Sequence, residues 1–337
     1  MKKFIIRFLI FISPIIILLL PYFCTDPFKV LRNYDLYTPE DGTPMYINLN
    51  RTMVSTEMFI KNHPIYNYNS FIFGSSRSMV YRVNDWSKYL PEDAICFHFD
   101  GYGESLYLVH KKIVYLKDRA QISNVLLPLD YDLLYQTKPF YTPLHIEHPA
   151  LNDYNNRFLF QSTYIKAYLN TTFLPNYLYY LTTDSVTPNM IEKGIIDTVP
   201  YCYNEMYNEY GCKSTYINPK IYEPETSIFH KRSNIQEYYP QVIKSEQKKL
   251  LEEIKDIFDK HSTNYCIVIN PLYNQKKLDK KDILYLDSLF NGNIYDFSGI
   301  NEITLEVTNY SDLSHFKSSV AKLILDSIYT TQIGINK

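Results

Sequence analysis

The sequence contains no Cys-x-x-Cys pair and no cysteine–histidine spacing of the kind that holds a metal ion. His145 and His148 flank Glu147, but two imidazoles three apart do not reproduce the metalloprotease spacing of two His four apart on a helix. There is no long basic run and the formal net charge is −2, which argues against a nucleic-acid partner. No internal repeat is visible. Neither a metal nor a cofactor is expected.

What is present is ordinary globular composition, with 46% hydrophobic and 21% charged residues. A chain of 337 residues can bury one large α/β core, or a core with a smaller insertion. Thirty-four tyrosines carry most of the 16% aromatic share. Such rings suit sugar-facing clefts and interfaces, although biased coding produces the same count. Of the five cysteines, Cys266 sits in an apolar run as a core thiol would. Cys202 and Cys212 flank a short polar segment and could close a disulfide loop in an oxidising compartment.

Lys2, Lys3 and Arg7 precede an apolar stretch from Phe8 to Phe23. Counted from Phe4, with Arg7 snorkelling to the headgroups, this reaches the roughly 20 residues that a membrane-spanning helix needs. The early positive charges favour a cytoplasmic N-terminus and an extracytoplasmic remainder, in periplasm or at the cell surface. A cleaved signal peptide and a lipoprotein at Cys24 both call for small residues that are missing there, so an uncleaved signal anchor over residues 1–26 is preferred.

Residues 27–67 read as an irregular approach segment, and 68–337 as one domain. Strands are expected near 70–73, 94–99, 124–129, 265–270 and 293–297, with helices near 79–90, 105–118, 237–261, 280–290 and 316–329. That alternation implies a three-layer α/β/α fold around a parallel sheet. It lapses between about 138 and 233, read either as an insertion over the carboxyl ends of the strands or as a plain structural lobe. His98, inside a strand, is read as structural.

A serine nucleophile needs a base, a group that orients the base, and donors for the developing oxyanion. Gly74-Ser75-Ser76-Arg77-Ser78 follows the first strand, where a serine is held at the sheet's edge beside helix N–H groups. Asp312-Leu313-Ser314-His315 precedes the last helix, and an i, i+3 pair there can place carboxylate and imidazole together.

These blocks, in this order, resemble the SGNH (GDSL-like) hydrolase superfamily. The closer resemblance is to the branch containing alginate-type O-acetyltransferases and the membrane protein of lipoteichoic-acid D-alanylation. The resemblance implies Ser76 as nucleophile, with Ser75 a lesser alternative, and Asp312 and His315 completing the triad. It implies Gly103 as a backbone oxyanion donor, with Gly101 as fallback. The family's third block has an Asn that donates to the oxyanion, and here Asp130 stands in its place. An ionised carboxylate only accepts hydrogen bonds. Asp130 is therefore protonated, or bound to something else, or the hole has backbone donors only. Arg77 either steers an anionic substrate or makes a surface ion pair.

The function so implied is a membrane-anchored serine acyltransferase or esterase acting on O-acyl groups of cell-envelope glycans. Its partners would be the glycan or an acyl donor, the membrane, and a membrane-bound acyltransferase. The alternative is a non-catalytic SGNH-like domain that binds glycan or scaffolds an envelope assembly.

Overall fold

The computed structural model describes residues 2–38, 47–152, 156–192, 201–212, 219–223 and 227–335. In chain order its elements begin with α1 (Lys2–Thr25), α2 (Arg51–Tyr66), β1 (Ser70–Gly74), α3 (Val83–Trp86) and β2 (Cys96–Asp100). Next come α4 (Leu106–Leu116), β3 (Asn124–Leu129) and α5 (Tyr131–Tyr135). The middle region holds α6 (Arg157–Tyr168), α7 (Phe173–Thr183), α8 (Pro188–Glu192), β4 (Tyr201–Asn204) and β5 (Glu209–Cys212). The chain then forms α9 (Ser245–Lys260), β6 (Asn264–Ile269), α10 (Lys280–Leu289), β7 (Ile294–Asp296), α11 (Glu302–Leu305) and α12 (Ser318–Ile335).

Because side chains alternate across a strand, a strand buried on both faces feeds two cores. Phe71, Phe73, Phe97, Phe99, Val125 and Leu127 enter one core with Met58 and Phe59 of α2, Val109 and Ile113 of α4, and Ile254 and Phe258 of α9. Ile72, Leu126, Cys266 and Val268 enter the other, with Trp86 of α3 and Val320, Ile324 and Ile328 of α12. The expected three layers around a parallel sheet follow. The strand order is β2-β1-β3-β6-β7, all parallel. Connections leave β1 in opposite directions at the β1/β3 crevice, and ligands of open α/β sheets bind outside the strands' carboxyl ends at such a switch point.

Several elements differ from expectation. Inside the segment read as irregular lies α2, started by Asn50, whose side chain accepts from the Met53 N–H at 3.1 Å, and ended by left-handed Asn67. Its buried face carries polar residues that blur the helical period. Ser55 Oγ, for example, donates to the Asp100 carbonyl at 2.8 Å. The helix expected over 79–90 is broken into a 3-10 turn, Ser76–Val80, then α3, then a second 3-10 turn, Ser87–Tyr89. The helix expected from 237 starts only at Ser245, because the stretch before it is extended and Tyr238 bridges to Lys277. Helix α12 starts two residues late, since Phe316 pairs with Tyr310 across the preceding loop.

In the insertion, β4 and β5 form an antiparallel hairpin in which Cys202 lies opposite Gly211 and Cys212 opposite Tyr201. Cys202 is a free thiol, and the disulfide considered from sequence falls on the Cys212 side chain, which lies outside the described residues. The hairpin docks on the sheet edge, where His98 N–H donates to the Tyr207 carbonyl at 3.0 Å.

Among the described residues no helix is long and apolar enough to cross a membrane. As a helix, α1 has 24 residues, or about 36 Å at 1.5 Å per residue. Phe4, Ile6, Ile10, Phe11 and Ile17 are exposed on it. Its last turns are packed: Tyr22 is fully buried against Tyr168, whose hydroxyl donates to the Leu18 carbonyl at 3.0 Å.

Candidate active site

The turn after β1 is dictated by Gly74, which has φ +133° and leaves no room for a Cβ, the nearest atom being Ser78 Cβ at 2.9 Å. Ser75 then caps the 3-10 turn, its Oγ accepting from the Arg77 N–H at 3.3 Å. Ser78 anchors the turn from below. Its Oγ donates to the Ser75 carbonyl at 2.7 Å and lies 3.0 Å from His98 Nε2. Ser75 and Ser78 are thereby committed to the scaffold, and Ser76 is left with its hydroxyl directed to His315. The separation from Ser76 Oγ to His315 Nε2 is 2.9 Å.

The other side of that contact is a tight loop. Ser311 N–H donates to the His315 carbonyl at 2.8 Å and Lys317 N–H to the Asn309 carbonyl at 2.8 Å. Asp312 accepts from the Ser314 and His315 N–H groups at 2.7 and 3.0 Å, and its two oxygens lie 3.0 and 2.9 Å from His315 Nδ1. Burial acts to raise the Asp312 carboxyl. Hydrogen bonds from the His315 ring and from the two N–H groups outweigh it, and the net direction is down. The stability this supplies is complete above the ordinary aspartate value of 3.8 and is lost as pH falls through the lower folded value. Carboxylate, imidazole and hydroxyl thus stand in line, as base-assisted nucleophilic catalysis requires.

Gly101 and Gly103 separate in role. The Gly101 N–H donates to the Gly74 carbonyl at 3.1 Å. A Cβ on Gly101 would come within 2.4 Å of both Glu104 Oε2 and Thr52 Oγ1, so its glycine is needed for packing. Gly103, with φ +53°, has no backbone acceptor for its N–H among the described residues, and neither does Ser76.

Asp130 is bound to something else. Arg77 Nη1 lies 2.9 Å from its Oδ1, the Leu133 N–H donates to it at 3.1 Å as an N-cap bond, and Asn270 Nδ2 reaches its other oxygen at 3.4 Å. Three donors thus surround one buried carboxylate. Arg77 also pairs with Asp132 at 2.9 Å and donates from Nε to the Ser314 carbonyl at 3.1 Å. Its side chain is only 15% exposed, so the substrate-steering role is not what its contacts describe.

Sequence reasoning did not find Arg51, Asp132 or Glu209. Arg51 on α2 pairs with Asp100 at the end of β2, 2.8 Å apart and both 1% exposed. It also donates to the Asn208 carbonyl and lies 4.2 Å from the Tyr210 ring. Beside it Lys112 pairs with Glu104, fully buried, and donates to the Asp100 carbonyl at 2.8 Å. Burial pushes Glu104 up and Lys112 down. This network underlies the Asp100–Glu104 loop that carries Gly103. Glu209 of β5 lies 3.4 Å from His98 Nδ1 and accepts from the Val83 N–H at 2.7 Å, tying the insertion to the segment that follows the Ser76 turn. His148 pairs with Glu57 at 2.8 Å, and His145 Nδ1 is 2.8 Å from Thr142 Oγ1. Among the described residues no cluster could hold a metal ion.

A cleft of about 750 Å³ is lined by Tyr222, Phe229, Tyr273, Lys231 and Arg232 and contains none of the triad residues. The hydrogen-bonded constellation, rather than cavity size, is what marks the site at the switch point. No protein-family model, curated protein or solved structure matches the chain.

Proposed function

We propose that the chain is a serine acyltransferase or esterase of SGNH type that acts on O-acyl groups of cell-envelope glycans. The observation that carries this reading is the alignment of Ser76, His315 and Asp312 at 2.9 Å spacings at the carboxyl end of a parallel sheet. In the first step His315 Nε2 takes the Ser76 proton as Oγ bonds to an ester carbonyl carbon. The tetrahedral oxyanion is met by the N–H groups of Ser76 and Gly103. Collapse breaks the bond to the alcohol, which leaves with the proton from His315, and the acyl group stays on Ser76. A second hydroxyl then attacks, gives its proton to His315 and takes the acyl group, and the proton returns to Ser76. Water as that second hydroxyl makes an esterase, and a sugar hydroxyl makes a transferase.

The membrane attachment belongs to the same proposal. The 24-residue α1 exceeds the roughly 30 Å hydrocarbon core when counted at 1.5 Å per residue. Its exposed face is apolar, and Phe158 and Leu181 lie exposed on the α6–α7 lobe that holds its last turn. Lys2 and Lys3 set its N-terminus on the cytoplasmic side. A membrane-bound acyltransferase would be a fitting acyl source.

One observation favours the second reading, a glycan-binding or scaffolding domain without catalysis: Asp130 is an ion-paired acceptor where the family has a donor. Analysis of O-acyl groups on envelope glycan from cells carrying wild-type or Ser76→Ala protein separates the two. Catalysis predicts that Ser76→Ala reproduces the acylation pattern of cells lacking the protein. A wild-type pattern with Ser76→Ala would leave only the scaffold.

A further inference from the structure

Arg77 touches all three blocks of the site at once. Its backbone N–H completes the cap of the nucleophile turn on Ser75 Oγ at 3.3 Å. One arm of its guanidinium meets Asp130 at 2.9 Å, the other meets Asp132 at 2.9 Å, and Nε donates to the Ser314 carbonyl at 3.1 Å. Ser314 immediately precedes His315 in the loop that Asp312 organises. A planar fork with donors fixed in direction can hold such partners in one geometry, and a lysine ammonium cannot.

We propose that Arg77 is a positioning residue of the Ser76–His315 pair, neutralising the Asp130 carboxylate and fastening the base's loop to the nucleophile turn. This rests on the reading of Ser76 and His315 as nucleophile and base. It also accounts for the departure at the third block. Asp130 caps α5 and anchors Arg77, while the oxyanion is left to backbone donors.

The consequence is electrostatic as well as geometric. The charged groups around the two turns are Asp312, which holds the His315 ring, and Arg77 with its partners Asp130 and Asp132. Tyr239 lies next to Arg77 and the two aspartates, and Lys317 follows on the chain with its ammonium over the Tyr222 ring. Removing Arg77 leaves the buried Asp130 carboxylate without its cation beside the nucleophile turn. A loss of positive charge beside the base's loop favours a protonated ring, which cannot act as a base.

The test is a titration of the histidine ring signals of full-length protein by NMR, with His315 assigned from a His315→Gln sample, together with the pH dependence of labelling by a fluorophosphonate. In Arg77→Gln the His315 titration midpoint should rise by about 0.5–1 pH unit relative to wild type. The acid limb of the labelling rate should move by the same amount. Arg77→Gln/Asp130→Asn should return the midpoint to the wild-type position. Arg77→Lys should keep the midpoint, since its charge remains, yet label at least about tenfold more slowly because the fork is gone. An unchanged midpoint in folded Arg77→Gln overturns the proposal, as does a raised midpoint that persists in the double variant. The ring titration does not depend on catalysis. A midpoint that moves as stated in a protein that never labels supports the Arg77 assignment and counts against the enzyme reading alone.

Discussion

His315→Ala should lower the rate of acyl release from an activated ester such as p-nitrophenyl acetate by on the order of 10³-fold or more. His315 Nε2 stands at 2.9 Å from the Ser76 hydroxyl. The other titratable groups of the site are already engaged: Asp130 by Arg77, and Asp312 by His315 and two N–H groups. A neutral serine hydroxyl without a base is a poor nucleophile at neutral pH. Asp312→Asn should fall in the same direction, because an amide can present its NH₂ to Nδ1 and turn the imidazole to the wrong tautomer. The measurement is steady-state hydrolysis by His315→Ala and Asp312→Asn against wild type. A loss under tenfold in folded His315→Ala would mean that the imidazole is not the base.

The second large effect concerns stability. Arg51→Ala should destabilise the protein by about 3–5 kcal/mol, because it leaves Asp100 as a buried carboxylate without its partner. Both side chains are 1% exposed, so solvent cannot take over the lost interaction. Burial opposes the Arg51 charge, and Asp100 with the neighbouring tyrosines more than offsets it, so the guanidinium is held firmly protonated. A loss of this size is a large part of the 5–15 kcal/mol typical of a domain. Urea unfolding followed by tryptophan fluorescence reads it, since Trp86 is the single tryptophan and is fully buried in the second core. Arg51→Met/Asp100→Asn should recover part of the loss, since no unpaired charge is then buried. Equal midpoints for Arg51→Ala and wild type would contradict the account of the network.

The contrast between these two predictions marks what the sequence discloses. Ser70–Gly74 and Asn124–Leu129 are readable because short apolar runs end abruptly at turn residues, so β1 and β3 lie close to their expected places. Asp312 and His315 are readable because they are three apart and precede an amphipathic helix. Arg51 and Asp100 are 49 residues apart, and Arg77 and Asp132 are 55 apart. A pair made across the fold leaves no periodic trace. Helix α2 is hidden from a sequence pattern for a related reason. Its buried face includes Arg51, Thr52, Ser55, Thr56 and Asn62, residues that a hydrophobic pattern counts as solvent-facing. The β4–β5 hairpin lies in a stretch of tyrosines and asparagines whose partners, His98 and Arg51, are far away in sequence.

The legible and illegible parts meet at Gly103. Its glycine is visible from sequence. That its N–H remains without a backbone acceptor while Gly101 is spent on Gly74 depends on where the Glu104–Lys112 pair forces the chain. The same holds for Asp130, which is plain in the sequence but whose ion-pair partner, Arg77, stands 53 positions earlier.

The most direct measurement of the central claim is covalent labelling of folded full-length protein by a fluorophosphonate, with the adduct located by peptide mass spectrometry. The account predicts one adduct, on Ser76, absent from Ser76→Ala and strongly slowed in His315→Ala. No adduct on folded wild-type protein, or an adduct on Ser75 or Ser78 that survives Ser76→Ala, would contradict it.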